Sequence, residues 1–506
     1  MKKNKLLLIL LLLLLMSCSF EPAEPIADAA PYIYADVLQE TEPPVDTGVP
    51  QEAQEDEQEI EPPQEPTEQP VQDDEIYEPE EEPEPPATML PPAPPREPAV
   101  LSTEALLYDF DYLANILREN FPFYGIARRK LGLDLHRQKV LARSAVQNMS
   151  VTGSDSQILS RFADIISRYI ITPMRSMGHL RGLWAGSQAH KIQLALIKWD
   201  GRLETSWYPN LYAGYMLEMF TSPTAIRYYG NIILDDADID RILQSTVVPN
   251  NVTFNIIQPG SIAYIRMNSM PFANFTPDGQ LIAAFGETIE GFEHLIIDLR
   301  GNRGGTLSNF TAHIVAPLID EPAVLTYYVF FKDGQHALMF DELYYHDLQW
   351  QIANGLVLHT DAPRFPVSEI LPSLPYANAD DFAYLKHGFQ RQVVVHPAAN
   401  RWAFDGKIWL LIDGLSFSAS EIAAGLAKES GFATLVGTNT GGIFGGYTAA
   451  FIGLPNTGVI IRYDYGYVTD SQGRALEEVG IAPHIRNRAG MNALETVLAL
   501  IAEGNY

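Results

Sequence analysis

The stretch Lys407–Lys428, KIWLLIDGLSFSASEIAAGLAK, limits what this chain can fold into more than any other. Ile408 to Ile412 is a short apolar run suited to a buried strand. From Ala419 onward the pattern becomes helical, with Ile422 and Leu426 on one face. The turn between them holds Ser416, Ser418 and Ser420. A serine between a strand's end and a helix's first turn stands above the sheet, among unpaired N–H groups that favour negative charge. An acyl-transfer nucleophile needs such a place, because an oxyanion develops beside it. Serine and aspartate also cap helices with no chemistry attached, so this stretch alone leaves both readings open.

The chain has 506 residues and a formal charge of −29. Three lysines precede an apolar run from Leu6 to Met16, followed by Ser17 and Cys18. The run is short for a membrane span and suited to a signal-peptide core. Leu15-Met16-Ser17-Cys18 resembles the bacterial lipobox, in which the cysteine becomes the lipidated N-terminus, so residues 1–18 are expected to be a lipoprotein signal peptide. An uncleaved anchor or an ordinary secretory signal is the alternative. Cys18 is the only cysteine, so the fold must rest on its core and not on an internal disulfide.

Residues 19–99 carry about two dozen Asp and Glu, many prolines and one basic residue, Arg96. That composition cannot bury a core and self-repels, so it predicts an acidic, Pro-rich disordered stalk. Much of the net charge belongs there. No stretch is basic enough for nucleic-acid binding, and no Cys or His spacing suits a metal.

Residues 100–185 read as a helical subdomain, with Leu106, Phe110, Leu113 and Leu117 at helical spacing. Its end, Met177-Gly178-His179-Leu180, holds a histidine that taken alone reads as structural. Residues 186–259 form a mixed connecting region. In it IQLALIKW and TSWYP look like strands and DDADIDRILQ like a short helix. From 260 to 506 a core is expected. SIAYIRMNSM alternates as a strand, and HLIIDLR is a buried strand leading into GNRGG and a helix. Gly304 and Gly305 allow a backbone that brings N–H groups close to a ligand. The turn could cradle a phosphate, although it lacks P-loop spacing, or it could serve the serine as an oxyanion hole. Leu325 to Arg401 reads as polar. Strands and glycine turns then lead to Glu477 and Glu478, and a last helix spans about 492–502.

Taken in order, IAYIRMNSM, LIIDLRGNRGG, LIDGLSFSASEI, LVGTNTGG and LEEVGIAPH resemble the tail-specific, or C-terminal-processing, serine peptidases of the S41 type. The resemblance covers about residues 100–505. It implies an α/β fold, a crotonase-like core of β-β-α units behind an N-terminal helical subdomain. By the same resemblance Ser418, the first serine of S-A-S-E, is the nucleophile, and the oxyanion donors are the Ala419 amide and that of Gly304 or Gly305. Ile443 stands where the Ser-Lys branch carries its lysine, which brings the chain closer to the tricorn-like branch with a histidine base. His179 would be that base and Glu477 the carboxylate that orients it, directly or through another group. Gly178 stands where that branch has a relay serine, His484 replaces the usual aspartate, and no PDZ domain is evident.

Together these readings predict a lipoprotein of a bacterial cell membrane, on the extracytoplasmic side, that hydrolyses a peptide or protein substrate. It would be anchored through Cys18 and would need no cofactor, metal or nucleic acid. Two rivals are a catalytically inactive ligand- or peptide-binding lipoprotein on the same fold and, resting only on the stalk, a cell-wall structural protein.

Overall fold

The computed structural model describes residues 100–175, 177–201, 211–353 and 359–504. The expected signal peptide with Cys18, the expected stalk and the TSWYP segment lie outside them.

The described chain opens with helices α1 (Thr103–Asn120), α2 (Tyr124–Leu131), α3 (Leu135–Asn148) and α4 (Asp155–Ile166). Leu106, Phe110, Leu113 and Leu117 form one buried face of α1, as their spacing requires. Ser102 and Asp134 cap α1 and α3 through their side chains, and Ser154 with Gln157 forms a capping box on α4. After short turns through His179 comes a three-residue strand, β1 (Arg181–Leu183).

Four more helices follow: α5 (Gln188–Gly201), α6 (Leu211–Phe220), α7 (Pro223–Tyr229) and α8 (Asp236–Gln244). The expected strand IQLALIKW is therefore helical. Leu194, Ala195, Leu196 and Ile197 are all buried, so the segment is apolar on every side and its periodicity does not separate strand from helix. The expected short helix at DDADIDRILQ forms as α8.

The core sheet begins at β2 (Val252–Gln258), inside the stretch read as connecting, and continues through β3 (Ile262–Met267). Helix α9 (Phe275–Gly286) and β4 (His294–Asp298) complete the first units. Later come β9 (Lys407–Ile412), helix α11 (Ala419–Glu429), β10 (Thr434–Gly437) and β14 (Ile485–Arg486). The spatial order is β14-β10-β9-β4-β3-β2, parallel except for the β2–β3 hairpin. Alternation sorts the side chains. Ile296, Trp409, Leu411 and Val436 face the last helix, α13 (Ala493–Glu503), while Leu295, Ile297, Leu410, Ile412 and Leu435 join the main core. Each such fully buried aliphatic contributes about 1.5–3 kcal/mol. This mixed α/β architecture, strand–turn–helix units behind a helical N-terminal region, is the expected one.

The stretch read as polar, 325–401, holds two nine-residue strands, β5 (Ala323–Phe331) and β8 (His387–Val395), with helix α10 (Gln335–Ala353) and strand β6 (His359–Asp361) between them. Leu325, Tyr327 and Val329 point inward in alternation with the half-buried Val324, Thr326 and Tyr328, so the strand signal was present in the apolar run AVLTYYVFF. These strands form an antiparallel sheet ordered β13-β5-β8-β6, in which β13 is Tyr467–Thr469. A third sheet, β1-β12-β11, joins the helical subdomain to the core through β11 (Ala449–Gly453) and β12 (Ile460–Asp464). Buried Asp109 of α1 fastens the β11–β12 turn, accepting from the amides of Asn456 and Thr457 and from the Thr457 hydroxyl.

Candidate active site

Strands β4, β9 and β10 are neighbours and run parallel, so their C-terminal loops open at one edge of the sheet. Ligands of α/β sheets bind at such an edge. Here backbone hydrogen bonds stitch the loops together. Phe417 N–H donates to Asn302 O at 3.1 Å, Gly441 N–H to Ser416 O at 3.0 Å, and Ser418 N–H to Ile443 O at 2.7 Å.

In the serine turn, the Ser416 hydroxyl donates to Leu299 O at 2.8 Å and the Ser420 hydroxyl to Asn302 Oδ1 at 2.8 Å. Both hold the turn. Ser418 differs from them. It immediately precedes α11 with φ 56° and ψ −122° and does not cap the helix with its side chain. Such a backbone costs about 1–3 kcal/mol in a non-glycine residue and persists only where the surroundings impose it. Among the described residues four non-glycines have positive φ, and His179, at 44°, is another of them.

The glycine turn lies against the serine. A Cβ on Gly304 would sit 2.8 Å from both Ser418 Cβ and Ala419 N, and φ is +92° there. The Gly304 amide already donates to Asn302 Oδ1 at 2.9 Å. Of the two glycines expected to supply an oxyanion donor, Gly305 is thus the one whose N–H, like that of Ala419, has no acceptor among the described residues.

His179 reaches this edge on the turn that precedes β1. In the β1–β12 ladder Arg181 lies opposite Arg462, and His179 closes the 3-10 turn two residues before that strand, near the end of β12 where Asp464 stands. The imidazole Nδ1 lies 2.6 Å from Asp464 Oδ2, with both side chains buried. The carboxylate fixes the proton on Nδ1 and leaves Nε2 as the basic nitrogen. Gly445 supplies the surface beneath the ring, since a Cβ there would come 2.5 Å from His179 Cε1. Gly446 O is held in turn by the Tyr327 hydroxyl at 2.8 Å.

Glu477, expected to orient the imidazole, contacts backbone instead. Its Oε1 accepts from Gly178 N–H at 2.5 Å and its Oε2 from Phe444 N–H at 3.2 Å. The carboxylate on the ring is Asp464, which the sequence reading missed. Its signal was an acidic residue closing the apolar strand VIIRYD. Glu421, also unassigned, accepts from the Thr440 hydroxyl, from Gly442 N–H at 2.8 Å and from Ile443 N–H at 2.6 Å. Burial pushes the Glu421 carboxyl up to about 7 against the pull of these donors. Burial likewise pushes Glu477 up to about 8, opposed by the Gly178 hydrogen bond and the nearby His179.

The loop 440–446 is thus the meeting point. Ile443 takes the serine's amide, Phe444 and Gly178 share one carboxylate, and Gly445 underlies the imidazole. Among the described residues no group of His, Cys, Asp and Glu suited to a metal ion occurs.

Residues 261–487 match the model of peptidase family S41. They belong to that family. The chain is accordingly a serine-type peptidase, and His179 lies before the matched residues while the serine turn, the glycine turn and Asp464 lie within them. No curated protein sequence matches the chain. Among solved structures, the chain is similar to a candidate peptidase from Parabacteroides merdae, with 16% identity over 79% of this chain and 96% of the other and a TM-score of 0.43. It is also similar to mature CPAF complexed with lactacystin, with 14% identity, 80% and 98% coverage and a TM-score of 0.43. The photosystem II D1 C-terminal processing protease gives 13% identity, 80% and 99% coverage and a TM-score of 0.36.

Proposed function

We propose that the chain is a membrane-anchored, extracytoplasmic peptidase in which Ser418 is the nucleophile, His179 the base and Asp464 the carboxylate that orients it. The observation that carries this reading is the buried His179 Nδ1–Asp464 contact of 2.6 Å, held over the loop that binds the Ser418 backbone. Serine is a weak nucleophile at neutral pH and needs such a base. Its Oγ adds to the scissile carbonyl carbon while His179 Nε2 takes the hydroxyl proton. The Ala419 and Gly305 amides hold the oxyanion, each worth about 3–4 kcal/mol of barrier. The carbonyl–nitrogen bond then breaks, and the amine leaves with the proton from His179. Water, deprotonated by the same nitrogen, releases the acyl group and restores the serine. Glu477 acts at one remove, through the Gly178 and Phe444 amides that it holds.

The leader ending in Leu15-Met16-Ser17-Cys18 supports export and lipidation at Cys18, and the acidic Pro-rich segment supports a spacer between membrane and enzyme. A fluorophosphonate probe tests the chemistry. Labelling of the wild type that disappears in Ser418→Ala and His179→Ala is expected. A wild type that stays unlabelled would leave the ligand-binding alternative. Incorporation of an alkynyl fatty acid that Cys18→Ala abolishes is the expected outcome for the anchor.

A further inference from the structure

The 440–446 loop is gripped from two sides. Glu421 holds its amides, and its carbonyls are held by a residue far away in sequence. Lys130, in the last turn of α2, sends its ammonium to Gly441 O at 2.7 Å, Glu477 O at 2.9 Å and Gly442 O at 3.4 Å. We propose that Lys130 is a positioning residue for peptide hydrolysis: its ammonium locks the carbonyls of Gly441, Gly442 and Glu477 into one block and thereby sets the loop on which Ser418 and His179 are aligned. This inference rests on the peptidase reading of Ser418.

Three observations separate this contact from an ordinary surface lysine. The loop is shaped to receive it: a Cβ on Gly442 would lie 2.5 Å from Lys130 Nζ and 2.7 Å from Glu477 O, and φ there is +76°. The helix that delivers it is anchored beside it. Arg129 donates to both oxygens of Glu478 at 2.8 Å and to both oxygens of Asp381 at 3.2 and 2.6 Å. Asp381 in turn accepts from the Tyr467 hydroxyl at 2.7 Å. Finally, the block contains the residues that matter. Glu477 is the carboxylate shared by Gly178 and Phe444, and Gly442 is followed by Ile443, whose carbonyl takes the Ser418 amide.

Three carbonyl acceptors engage the three N–H bonds of the ammonium, so Lys130 acts as a latch. Its charge also opposes the crowding of acceptors at this spot, where the Glu421 carboxylate lies close enough to feel it. Removing the ammonium leaves the carbonyls of Gly441, Gly442 and Glu477 without the donor that joins them. The loop should then shift, and the serine and imidazole with it.

The test uses the full chain in detergent and the rate of fluorophosphonate labelling, resolved into the maximal rate constant and the half-saturating probe concentration. Lys130→Met is expected to lower the maximal rate constant about 10²-fold, the effect of a misplacement of about 1 Å, with half-saturation unchanged. Lys130→Cys should be equally slow. Aminoethylation with bromoethylamine rebuilds an ammonium at that position and should restore the rate, whereas carbamidomethylation, which adds a neutral group, should not. Cys18 is the only other cysteine, so alkylated wild type is the control. A Lys130→Met protein that labels at the wild-type rate would overturn the inference. So would a change confined to half-saturation, or equal recovery with either alkylating agent. If wild type itself carries no label that Ser418→Ala removes, the peptidase reading falls and takes the latch with it. A labelled wild type with an indifferent Lys130 sinks the latch alone.

Discussion

Replacing Asp464 with asparagine isolates the contact on which the proposed chemistry turns. The change keeps the size and burial of the side chain and removes its charge. At 2.6 Å from Nδ1, the new amide could present its NH2 to the ring and push the ring proton onto Nε2, away from the position a base requires. The electrostatic loss is of similar weight. With the 2.6 Å separation and an effective dielectric of about 20, Coulomb's law gives about 6 kcal/mol for the imidazolium–carboxylate pair formed as the serine proton moves. At about 1.4 kcal/mol per decade this is about four decades in rate. The same substitution in a Ser-His-Asp triad costs about 10⁴-fold. Fluorophosphonate labelling of Asp464→Asn should therefore slow by about 10⁴-fold, with a thermal melt close to wild type. Glu477→Gln keeps one backbone acceptor and loses another, a change of about 1–3 kcal/mol felt through geometry, so it should slow labelling far less. The reverse ranking would refute the reasoning. If Asp464→Asn labels within tenfold of wild type while Glu477→Gln does not label, the imidazole is oriented from the other side.

Gly445→Ala places a methyl carbon 2.5 Å from His179 Cε1 at a backbone φ of +60°, so labelling should fall on the order of 10²-fold in a protein that still folds, read by labelling rate and circular dichroism. Lys407→Ala and Lys428→Ala should leave labelling largely unchanged, because Lys407 stacks on Trp409 at the opening of β9 and Lys428 binds Ala482 O. Loss of labelling with either would overturn the histidine-base assignment. Deletion of residues 20–95 should leave a soluble domain with a cooperative melt, and its failure to fold would refute the stalk reading. Glu477, raised from 4.5 to about 8, holds its proton in the folded protein where the unfolded chain releases it. Its contribution to stability is then full below about pH 4.5 and is lost as pH rises toward about 8. Denaturant melts across that window should show the decline in wild type and a weaker one in Glu477→Gln.

The local parts of the site were legible because their signals are local. The apolar run Ile408–Ile412, the serine turn and the helix after it read directly as strand, elbow and helix, and so did HLIIDLR with its glycines. Relations across the chain were not. That Asp464 meets His179 depends on a three-residue strand that begins two residues after the histidine, which no periodicity reveals. Lys130 reads as one of several basic residues closing a helix, until Gly442 is seen to lack room for anything else. Helix α5 was misread because a segment buried on all sides has no polar face to reveal its period. The β8 strand was passed over because Gln390, Gln392 and the buried Arg391 interrupt its apolar residues, while the apolar AVLTYYVFF of β5 was passed over inside a stretch read as polar.

The hydroxyl and the ring nitrogen stand beside different hydrogen-bonded sheets. Ser418 follows β9 of the six-stranded sheet, whereas Asp464 ends β12 of the small β1-β12-β11 sheet and His179 stands two residues before β1. Each sheet can keep its own ladder intact while the spacing between the two changes. On the proposed mechanism, a change in that spacing would uncouple proton transfer from the nucleophile without breaking either ladder.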